Sequence, residues 1–252
     1  MDWSGRIVSA ASLLAVLAAW TLASGSGLVN ATLFPPPSAV LAALVAVAAS
    51  GELASHVISS MSRVFVGLAA GSAAGVAAGL VTGRVRLADE SISPILNVLR
   101  SFPPVAIIPL IIVWLGIGDG AKVFSIAFAV FFPVWVNAHF GASHIPQHYL
   151  DAAATLTRSK TKKWTAVILP ASVPHILAGV RVGVGVSFVM VFVSELAGSS
   201  SGIGYLIYAA HEAYRIDLML AGLLVLGFLG SSTDNLVAYA GRRLFPWMGK
   251  TG

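Results

Sequence analysis

Long apolar stretches separated by short polar ones dominate the hydropathy pattern of this 252-residue chain. Six of them approach the roughly 20 residues that a helix needs to cross a bilayer. They are 7–24, 61–83, 103–117, 123–141, 175–197 and 218–240. The pattern predicts an all-α integral membrane protein with about six transmembrane helices in a single domain, 1–252.

The third stretch is the least regular of the six. Its uninterrupted apolar part is only 105–117, and Pro103, Pro104 and Pro109 lack the backbone donors that a helix uses. Because the freed carbonyl groups cannot face lipid, we expect a kinked helix that is surrounded by protein. The preceding segment, 92–102, is predicted to be a separate helix that meets the membrane at an angle.

The composition agrees with lipid as the solvent. Hydrophobic residues make up 57% of the chain and charged residues only 10%, whereas a soluble domain has about 25% charged residues. The absence of cysteine excludes disulfides and thiolate metal sites. The net charge of +5 does not indicate nucleic-acid binding, because Lys and Arg lie mainly between the apolar segments.

The basic residues predict the orientation in the membrane. With both termini in the cytoplasm, ten Lys and Arg residues lie inside, and only Lys122 and Arg215 lie in outer loops. Cytoplasmic loops carry such an excess in membrane proteins, and an even number of spans agrees with it. A cleaved signal peptide at 7–23 is the alternative. It is disfavoured by its single basic residue, Arg6, and by an apolar run longer than the usual length of about 7–15 residues.

Glycines recur at every fourth position of the second span, at Gly67, Gly71, Gly75, Gly79 and Gly83. Small residues at this spacing allow another helix to approach closely. The partner helix could belong to the same chain or to a second copy, and the sequence alone leaves both possibilities open.

Polar side chains within spans are costly, and they mark either a pathway or internal pairing. The candidates for lining a pathway or forming a gate are Arg100, Asn137, Ser187 and Glu195. Arg181 and Asp234 lie within two turns of a predicted span end, so we expect both side chains to reach the membrane surface.

Two further patterns do not predict a site. His144 and His148 are four residues apart but lack a third ligand at a suitable spacing, so no metal site is predicted. Gly249, Lys250 and Thr251 resemble the end of a phosphate-binding loop, but the glycine that should precede them by five positions is Leu244. We therefore expect no catalytic residue and no nucleotide site in this chain.

The loop 142–174 is the most informative segment. Tyr149, Ala152, Ala153 and Leu156 share one face of a predicted helix, with Asp151 near its start. Basic residues follow at 158–163, and the prolines at 170 and 174 are predicted to stop the chain before the fifth span. Such a helix suits either a groove on a partner protein or the lipid headgroups.

This loop resembles the signature of the permease subunits of binding-protein-dependent ABC importers: Glu-Ala-Ala, three residues, Gly, nine residues, Ile-x-Leu-Pro. The matching residues are Asp151, Ala152 and Ala153, with Leu156 following and Leu169 and Pro170 at the end. Thr157 stands at the glycine position and cannot cheaply adopt a left-handed turn, which leaves the end of the helix open. The resemblance implies a coupling helix that docks on an ATPase subunit.

Three further segments resemble nitrate, sulfonate and taurine permeases: 34–40, 100–118 and 195–207. Their shared order extends the resemblance over nearly the whole chain from 34 to 244. It implies the fold of a type I ABC importer permease in an inner membrane, a second permease copy as homodimer partner, and two ATPase subunits that use ATP and Mg. It also implies a substrate-binding protein outside the membrane and a small anionic cargo, with no cofactor in this chain.

Two other classes of membrane protein are considered as alternatives. A self-sufficient channel or ion-coupled secondary transporter would need a mid-membrane ion site, and the spans contain few acidic residues. An intramembrane enzyme would need a nucleophile with a base or a set of metal ligands, and no such set is evident.

Overall fold

The computed structural model describes residues 3–27, 30 and 32–247, and the regular elements of this part are helices. In chain order they are α1 Trp3–Gly25, α2 Pro37–Ala49, α3 Glu52–Arg84, α4 Arg86–Leu99, α5 Ile108–Leu115, α6 Asp119–Ser143, α7 Gln147–Leu156, α8 Lys160–Lys163, α9 Leu169–Leu196, α10 Ile203–Glu212 and α11 Ile216–Leu244. A 3-10 turn, Pro104–Ile107, precedes α5, and a π-helical turn, Trp164–Ile168, joins α8 to α9.

Four helices of the described part are long and apolar enough to cross a membrane: α3, α6, the continuous helix Lys160–Leu196, and α11. A fifth span would combine α4 with Pro104–Leu115, which meet at a bend of 83°. The segment before the third predicted span is thus a separate, angled helix, as expected. The third span itself is shorter than predicted, because the eight residues of α5 extend only about 12 Å.

The first helix lies apart from the others. Trp20 Nε1 donates a hydrogen bond of 3.0 Å to the carbonyl of Pro35, and the Trp20 ring lies 6.3 Å from that of Phe34. The remaining described side chains of α1 are mostly exposed. That α1 is retained and crosses the membrane stays a prediction.

The prolines near the start of the fifth span do not interrupt the helix. Pro170 lies in the first turn of α9 and Pro174 lies inside it, so the prediction that they stop the chain before the span is wrong. The π-helical turn directly before Pro170 is wider than an α-helical turn. A wider turn offers room for a proline ring, which clashes with the preceding turn of a regular α-helix.

The core of the bundle consists of α3, α6 and α9, with α6 packed along both of the others. Its fully buried side chains are aliphatic, as in Val64 of α3, Val130 and Val134 of α6, and Val184 and Val191 of α9. The two long spans on either side of α6 are therefore held by one continuous apolar contact.

The glycine stripe of α3 makes this contact close. A methyl group added at Gly79 would lie 2.6 Å from Cβ of Ala138 and 2.7 Å from the carbonyl oxygen of Trp135. The other members of the stripe, Gly67, Gly71, Gly75 and Gly83, also face α6. The structure therefore places the partner helix of the stripe within the same chain.

Further glycine contacts define one end of the bundle. Gly83 packs on Ala142, Gly141 on His175 and Gly241 on Leu177, which brings together the ends of α3, α6 and α11 and the beginning of α9. We call this the basic end, because it carries Arg84, Arg86, Lys160, Lys162, Lys163, Arg242 and Arg243. The opposite end contains the beginnings of α3 and α6, the end of α9, and α10.

Candidate functional site

The helix that is predicted to act as the coupling helix is present as α7, at the basic end, and its role in coupling stays a prediction. Ala153 is buried, whereas Leu156 is 86% exposed and Tyr149 is 55% exposed. Asp151 is also exposed and accepts a hydrogen bond of 2.9 Å from Nε2 of Gln147. The short helix thus presents apolar side chains that the other described residues leave uncovered.

An apolar cleft of about 470 Å³ lies beside α7. One wall carries the predicted helix face, Tyr149, Ala152, Ala153 and Leu156, and the other wall is the beginning of the long fifth helix with Val167 and Pro170. Leu169 lines a second apolar cleft of about 330 Å³, and Pro170 and Trp247 border both clefts. The residues of the sequence signature therefore share one surface region, although Leu169 faces the neighbouring cleft.

Thr157 ends α7 without a left-handed turn. Its φ and ψ angles are −154° and 140°, an extended conformation that any residue can adopt. Its amide donates a hydrogen bond of 3.1 Å to the carbonyl of Ala153. Its Oγ1 accepts a hydrogen bond of 3.1 Å from the amide of Ser159. The helix therefore ends directly before Thr157, and this chain has no conformational need for the glycine of the signature.

The flank of the cleft is strongly basic. Arg158, Lys160 and Lys162 are exposed, and within the described residues none of them forms an ion pair. An uncovered apolar cleft beside unpaired cations suits a partner surface that combines an apolar groove with acidic residues.

Glu195 lies at the opposite end of the bundle, inside the protein. Its carboxylate is fully buried and accepts hydrogen bonds from Ser60 Oγ at 2.8 Å, from Arg63 Nη1 at 2.7 Å and from the amide of Gly204 at 2.8 Å. A buried charge is tolerated only when it is paired and hydrogen-bonded in this way. The geometry favours a structural role for Glu195 over lining an open pathway.

Arg63 connects three parts of this network. Besides Glu195, it contacts Asp119 Oδ1 of α6 through Nε and Nη2, both at 2.8 Å, and the carbonyl of Ser201 through Nη1 at 2.8 Å. The same arginine therefore fixes the ends of α3, α6 and α9 to the loop before α10. Arg63 is not among the residues predicted from the sequence to form a site, although a charge near the start of an apolar span is a usable signal.

Position 202, in the loop before α10, requires glycine. Its φ angle is +120°, and a side chain there would overlap the carboxylate of Glu195. A residue with a Cβ is thus excluded both by conformation and by space. Because the loop approaches Glu195 closely, the amide of Ile203 donates a hydrogen bond of 2.8 Å to Ser60 Oγ, and the amide of Gly204 donates one to the carboxylate of Glu195.

Two other polar residues differ from their predicted positions. Ser187 is fully buried and donates 2.6 Å to the carbonyl of Val184 in its own helix, so it lines no open space in this structure. Lys122, expected in an outer loop, lies in the first turn of α6, where its Nζ donates 2.7 Å to the carbonyl of Ile117.

Of the predicted pathway candidates, Arg100 is the one that borders an open cleft. Arg100 is exposed at the end of α4, and its Nε donates 2.8 Å to Oδ1 of Asn97. Arg100 and Asn97 line a cleft of about 210 Å³ with Asp89, Ser93, Trp135, Val136 and His139, whereas Asn137 is not among its lining residues. Asn137 is half-buried on α6, and its Nδ2 donates 2.8 Å to the carbonyl of Pro133.

Arg181 and Asp234 do not sit near helix ends. Arg181 donates two hydrogen bonds to the carboxylate of Asp234, from Nε to Oδ1 at 2.9 Å and from Nη2 to Oδ2 at 2.7 Å. Because the fifth helix starts earlier than predicted, Arg181 lies close to its middle. The two side chains therefore form a bidentate pair with each other, and the expectation that they reach the membrane surface stays a prediction.

The comparisons with known proteins agree with this arrangement. Residues 71–246 match the family described as "Binding-protein-dependent transport system inner membrane component". A Bacillus subtilis protein whose name assigns it to aliphatic sulfonates transport as a permease is 32% identical over 92% of this chain and 84% of its own length. The taurine transport system permease of Escherichia coli is 30% identical over 96% of this chain and 90% of its own.

A nitrate import permease of Synechocystis is 28% identical over 77% of this chain and 70% of its own. Among solved structures, an inward-facing MetNI methionine ABC transporter superposes with a TM-score of 0.64 at 20% identity, over 78% of this chain and 96% of that one. At that identity the superposition establishes the fold. The chain belongs to the inner membrane components of binding-protein-dependent transport systems, as an ABC importer permease of the sulfonate, taurine and nitrate group.

Proposed function

We propose that two copies of this chain form the translocation pathway of an importer for a small anion of the sulfonate, taurine or nitrate class. The observation that carries the proposal is the uncovered surface of α7, where Leu156 and Tyr149 border an apolar cleft beside basic residues that form no ion pair within the described part of the chain. The substrate class is taken from relatives named for sulfonates, taurine and nitrate.

The partners follow from the family. ATP is hydrolysed with Mg by separate ATPase subunits, and we propose that two of them each receive one α7 in a groove. A substrate-binding protein delivers the anion at the opposite end of the bundle. The basic end, with Arg84, Arg86 and the lysines of α8, then faces the cytoplasm, as do both termini.

We propose that the ATPase subunits drive the pathway between two states. When they close on ATP, the two α7 helices move together and the pathway opens to the outside, and hydrolysis resets it. A loaded binding protein stimulates this cycle only if it binds the outward-open state more tightly than the inward-open state. Coupling therefore requires contact at both ends of the bundle.

Arg100 is proposed to contact the anion along this route. Its guanidinium is exposed beside the amide of Asn97 in the polar cleft, and both groups can donate hydrogen bonds to an anionic oxygen. Asn137 is retained as a further polar candidate on α6. Glu195 and Ser187 are left out of the proposed pathway because both are buried within the chain.

A self-sufficient channel or ion-coupled carrier remains the competing function. It would transport anions without any ATPase, so the two functions differ in a single measurement. The permease is reconstituted in vesicles with its ATPase subunits and binding protein, and ATP hydrolysis is measured with nitrate, taurine or an alkanesulfonate. We expect loaded binding protein to raise the hydrolysis rate; uptake by the permease alone would overturn the proposal.

A further inference from the structure

Three successive amides at the beginning of α10 are bonded by side chains of other helices. The amide of Gly202 donates a hydrogen bond of 3.1 Å to Nδ1 of His56 on α3. The two amides that follow donate to a serine of α3 and to the carboxylate of Glu195. The first amides of a helix have no partner within that helix, and Gly202 has no side chain that could cap α10. The three contacts therefore hold the beginning of α10 against α3 and α9.

His56 can accept its hydrogen bond in only one protonation state. A backbone amide can only donate, so Nδ1 of His56 must carry a lone pair, and the ring is neutral with its proton on Nε2. A second proton would occupy Nδ1, and two N–H groups would then face each other at 3.1 Å. Protonation of His56 and its hydrogen bond to Gly202 therefore exclude each other.

The charges around His56 do not offer its protonated ring a partner. The charged and titratable side chains at this end of α3, and of α6, α9 and the first turn of α10 packed against it, are Glu52, Arg63, Asp119, Lys122, Glu195 and Tyr205. Within the described residues, His56 forms no ion pair with any carboxylate. Glu195 and Asp119 are already paired with Arg63, and Tyr205 contacts the imidazole only through its ring, at 5.8 Å between centroids. No new ion pair would replace the lost hydrogen bond.

His56 is the contact among the three that changes charge near neutral pH. Histidine ordinarily gains or loses its charge between about pH 5 and 8, whereas a serine hydroxyl does not titrate there. His56 is half-buried, four residues after the beginning of α3. In the loop 197–202 that it contacts, Ala197, Gly198 and Ser200 are exposed. The imidazole thus lies beneath a loop whose outer side is open.

We propose that His56 is a proton-sensitive switch, which holds the loop 197–202 and the beginning of α10 when it is neutral and releases them when it is protonated. The inference rests on the proposed function for the orientation, in which this end of the bundle receives the substrate-binding protein. Acid on that side of the membrane loosens the end of the permease at which the loaded binding protein acts. It thereby reduces the stimulation of ATP hydrolysis by the binding protein.

The remaining contacts make the release local and reversible. Arg63 donates to the carbonyl of Ser201 at 2.8 Å and to its Oγ at 3.2 Å, and an arginine keeps its charge throughout this pH range. Gly202 can change its φ angle at little steric cost, because glycine populates both signs of φ. The loop therefore opens at Gly202 while Arg63 and Glu195 stay paired, and it closes again when His56 loses the proton.

Amide hydrogen exchange of the assembled importer measures the opening of the loop directly. Exchange is followed by mass spectrometry in peptides covering 197–207, at about pH 7.5 and at about pH 5.5. His56→Asn keeps an acceptor, Oδ1, on the γ-carbon but does not titrate, and His56→Ala removes the acceptor. His211→Asn is the matched control, because His211 is an exposed histidine at the end of α10. Since intrinsic exchange depends on pH, each variant is compared with the original chain at the same pH.

We expect acid to raise exchange of the loop in the original chain and in His211→Asn at least about fivefold relative to His56→Asn, the effect of losing one hydrogen bond. His56→Ala should exchange faster than His56→Asn at both pH values. An equal acid response in the original chain and His56→Asn would overturn the proposal, since another group would then be responsible. So would an original chain whose loop, after correction for intrinsic exchange, opens no more in acid, a result that depends on no variant.

The effect on transport has its own readout. The importer is reconstituted in vesicles, and the pH is lowered only on the side that holds the binding protein, while the ATPase subunits stay at about pH 7.5. Stimulation of ATP hydrolysis by loaded binding protein should fall at least about threefold in the original chain and stay unchanged in His56→Asn. Unchanged stimulation in the original chain would overturn the regulatory role. If loaded binding protein does not stimulate hydrolysis even at neutral pH, the proposed import function fails, whereas hydrogen exchange still reports whether His56 holds the loop.

Discussion

Arg63 and Glu195 lie 132 residues apart in the chain, and their side chains meet at 2.7 Å inside the bundle. The exposed fractions of the two side chains are 6% and 0%. Asp119 forms a second ion pair with Arg63 at 2.8 Å. Ser60 and the amide of Gly204 donate further hydrogen bonds to the carboxylate of Glu195. This network fixes three span ends to each other, away from the proposed ATPase contact.

Replacement of Glu195 by Gln should destabilise the protein strongly. The amide keeps the shape of the side chain but leaves Arg63 buried with only one carboxylate, and breaking a buried ion pair costs about 3–5 kcal/mol. Thermal unfolding of the detergent-purified permease measures the loss. Glu90→Gln is the control, because Glu90 pairs with exposed Arg86 and should change stability by no more than about 0.5 kcal/mol.

Gly79→Ala tests the close contact between α3 and α6. The new methyl group would lie 2.6 Å from Cβ of Ala138, so the two helices must separate, at a cost of about 1–3 kcal/mol. Gly227→Ala adds the same group where it meets nothing within 4 Å. Equal unfolding temperatures for the two variants would argue against a tight α3–α6 contact.

Leu156→Glu should weaken ATPase binding while leaving the permease folded. Leu156 is almost fully exposed beside the apolar cleft, so a charged side chain there should barely change the stability of the free permease. The same charge would lose its water when α7 enters the groove of an ATPase subunit. We expect at least about a tenfold loss of affinity, measured by co-purification with the ATPase subunits. Ala154→Glu lies on the opposite face of α7 and should bind nearly normally; equal losses would mean that α7 docks through another face.

Restoring the glycine of the family signature should bring no benefit. Because Thr157 is extended rather than left-handed, Thr157→Gly adds only backbone freedom and loses the bond to the Ser159 amide. We expect a stability loss of about 0.5–1 kcal/mol and no increase in coupling of ATP hydrolysis to transport. A gain in coupling would show that Thr157 adopts the left-handed turn in the assembled importer.

Arg100→Gln should reduce anion uptake without lowering stability. Arg100 is exposed and bonds only Asn97 among the described residues, so its removal leaves no buried group unpaired. We expect at least about a fivefold slower uptake at an unchanged unfolding temperature. Arg86→Gln, an exposed arginine at the basic end, controls for the loss of one positive charge, and equal uptake by both variants would remove Arg100 from the pathway.

Sequence patterns were sufficient for the features that depend on local chemistry. The apolar stretches, the angled helix before the third span and the short helix around Ala152 could be predicted because periodicity and proline placement act over a few residues, whereas the end of that helix at Leu156 could not. The order of motifs identified the family. Each of these signals lies within a contiguous segment of the chain.

Features that depend on distant contacts could not be predicted in this way. The sequence predicts Glu195 as a gate candidate, whereas in the structure Arg63, Ser60 and Gly204 enclose its carboxylate. The sequence predicts Arg181 near a span end because Pro170 and Pro174 are expected to interrupt the helix, but both prolines lie within α9. The pairing of Arg181 with Asp234 joins residues 53 positions apart, and no local pattern reports it.

The fifth span connects the two ends of the molecule mechanically. From Lys160 to Leu196 it is one helix of 37 residues, about 55 Å long, with the basic flank at its beginning and Glu195 near its end. Gly179 touches α6 near the middle, where an added methyl would lie 2.8 Å from Cβ of Asn137. Because α6 packs along this helix and Glu195 joins its far end to Arg63, a displacement of Lys160 is expected to carry α6 and α3 with it.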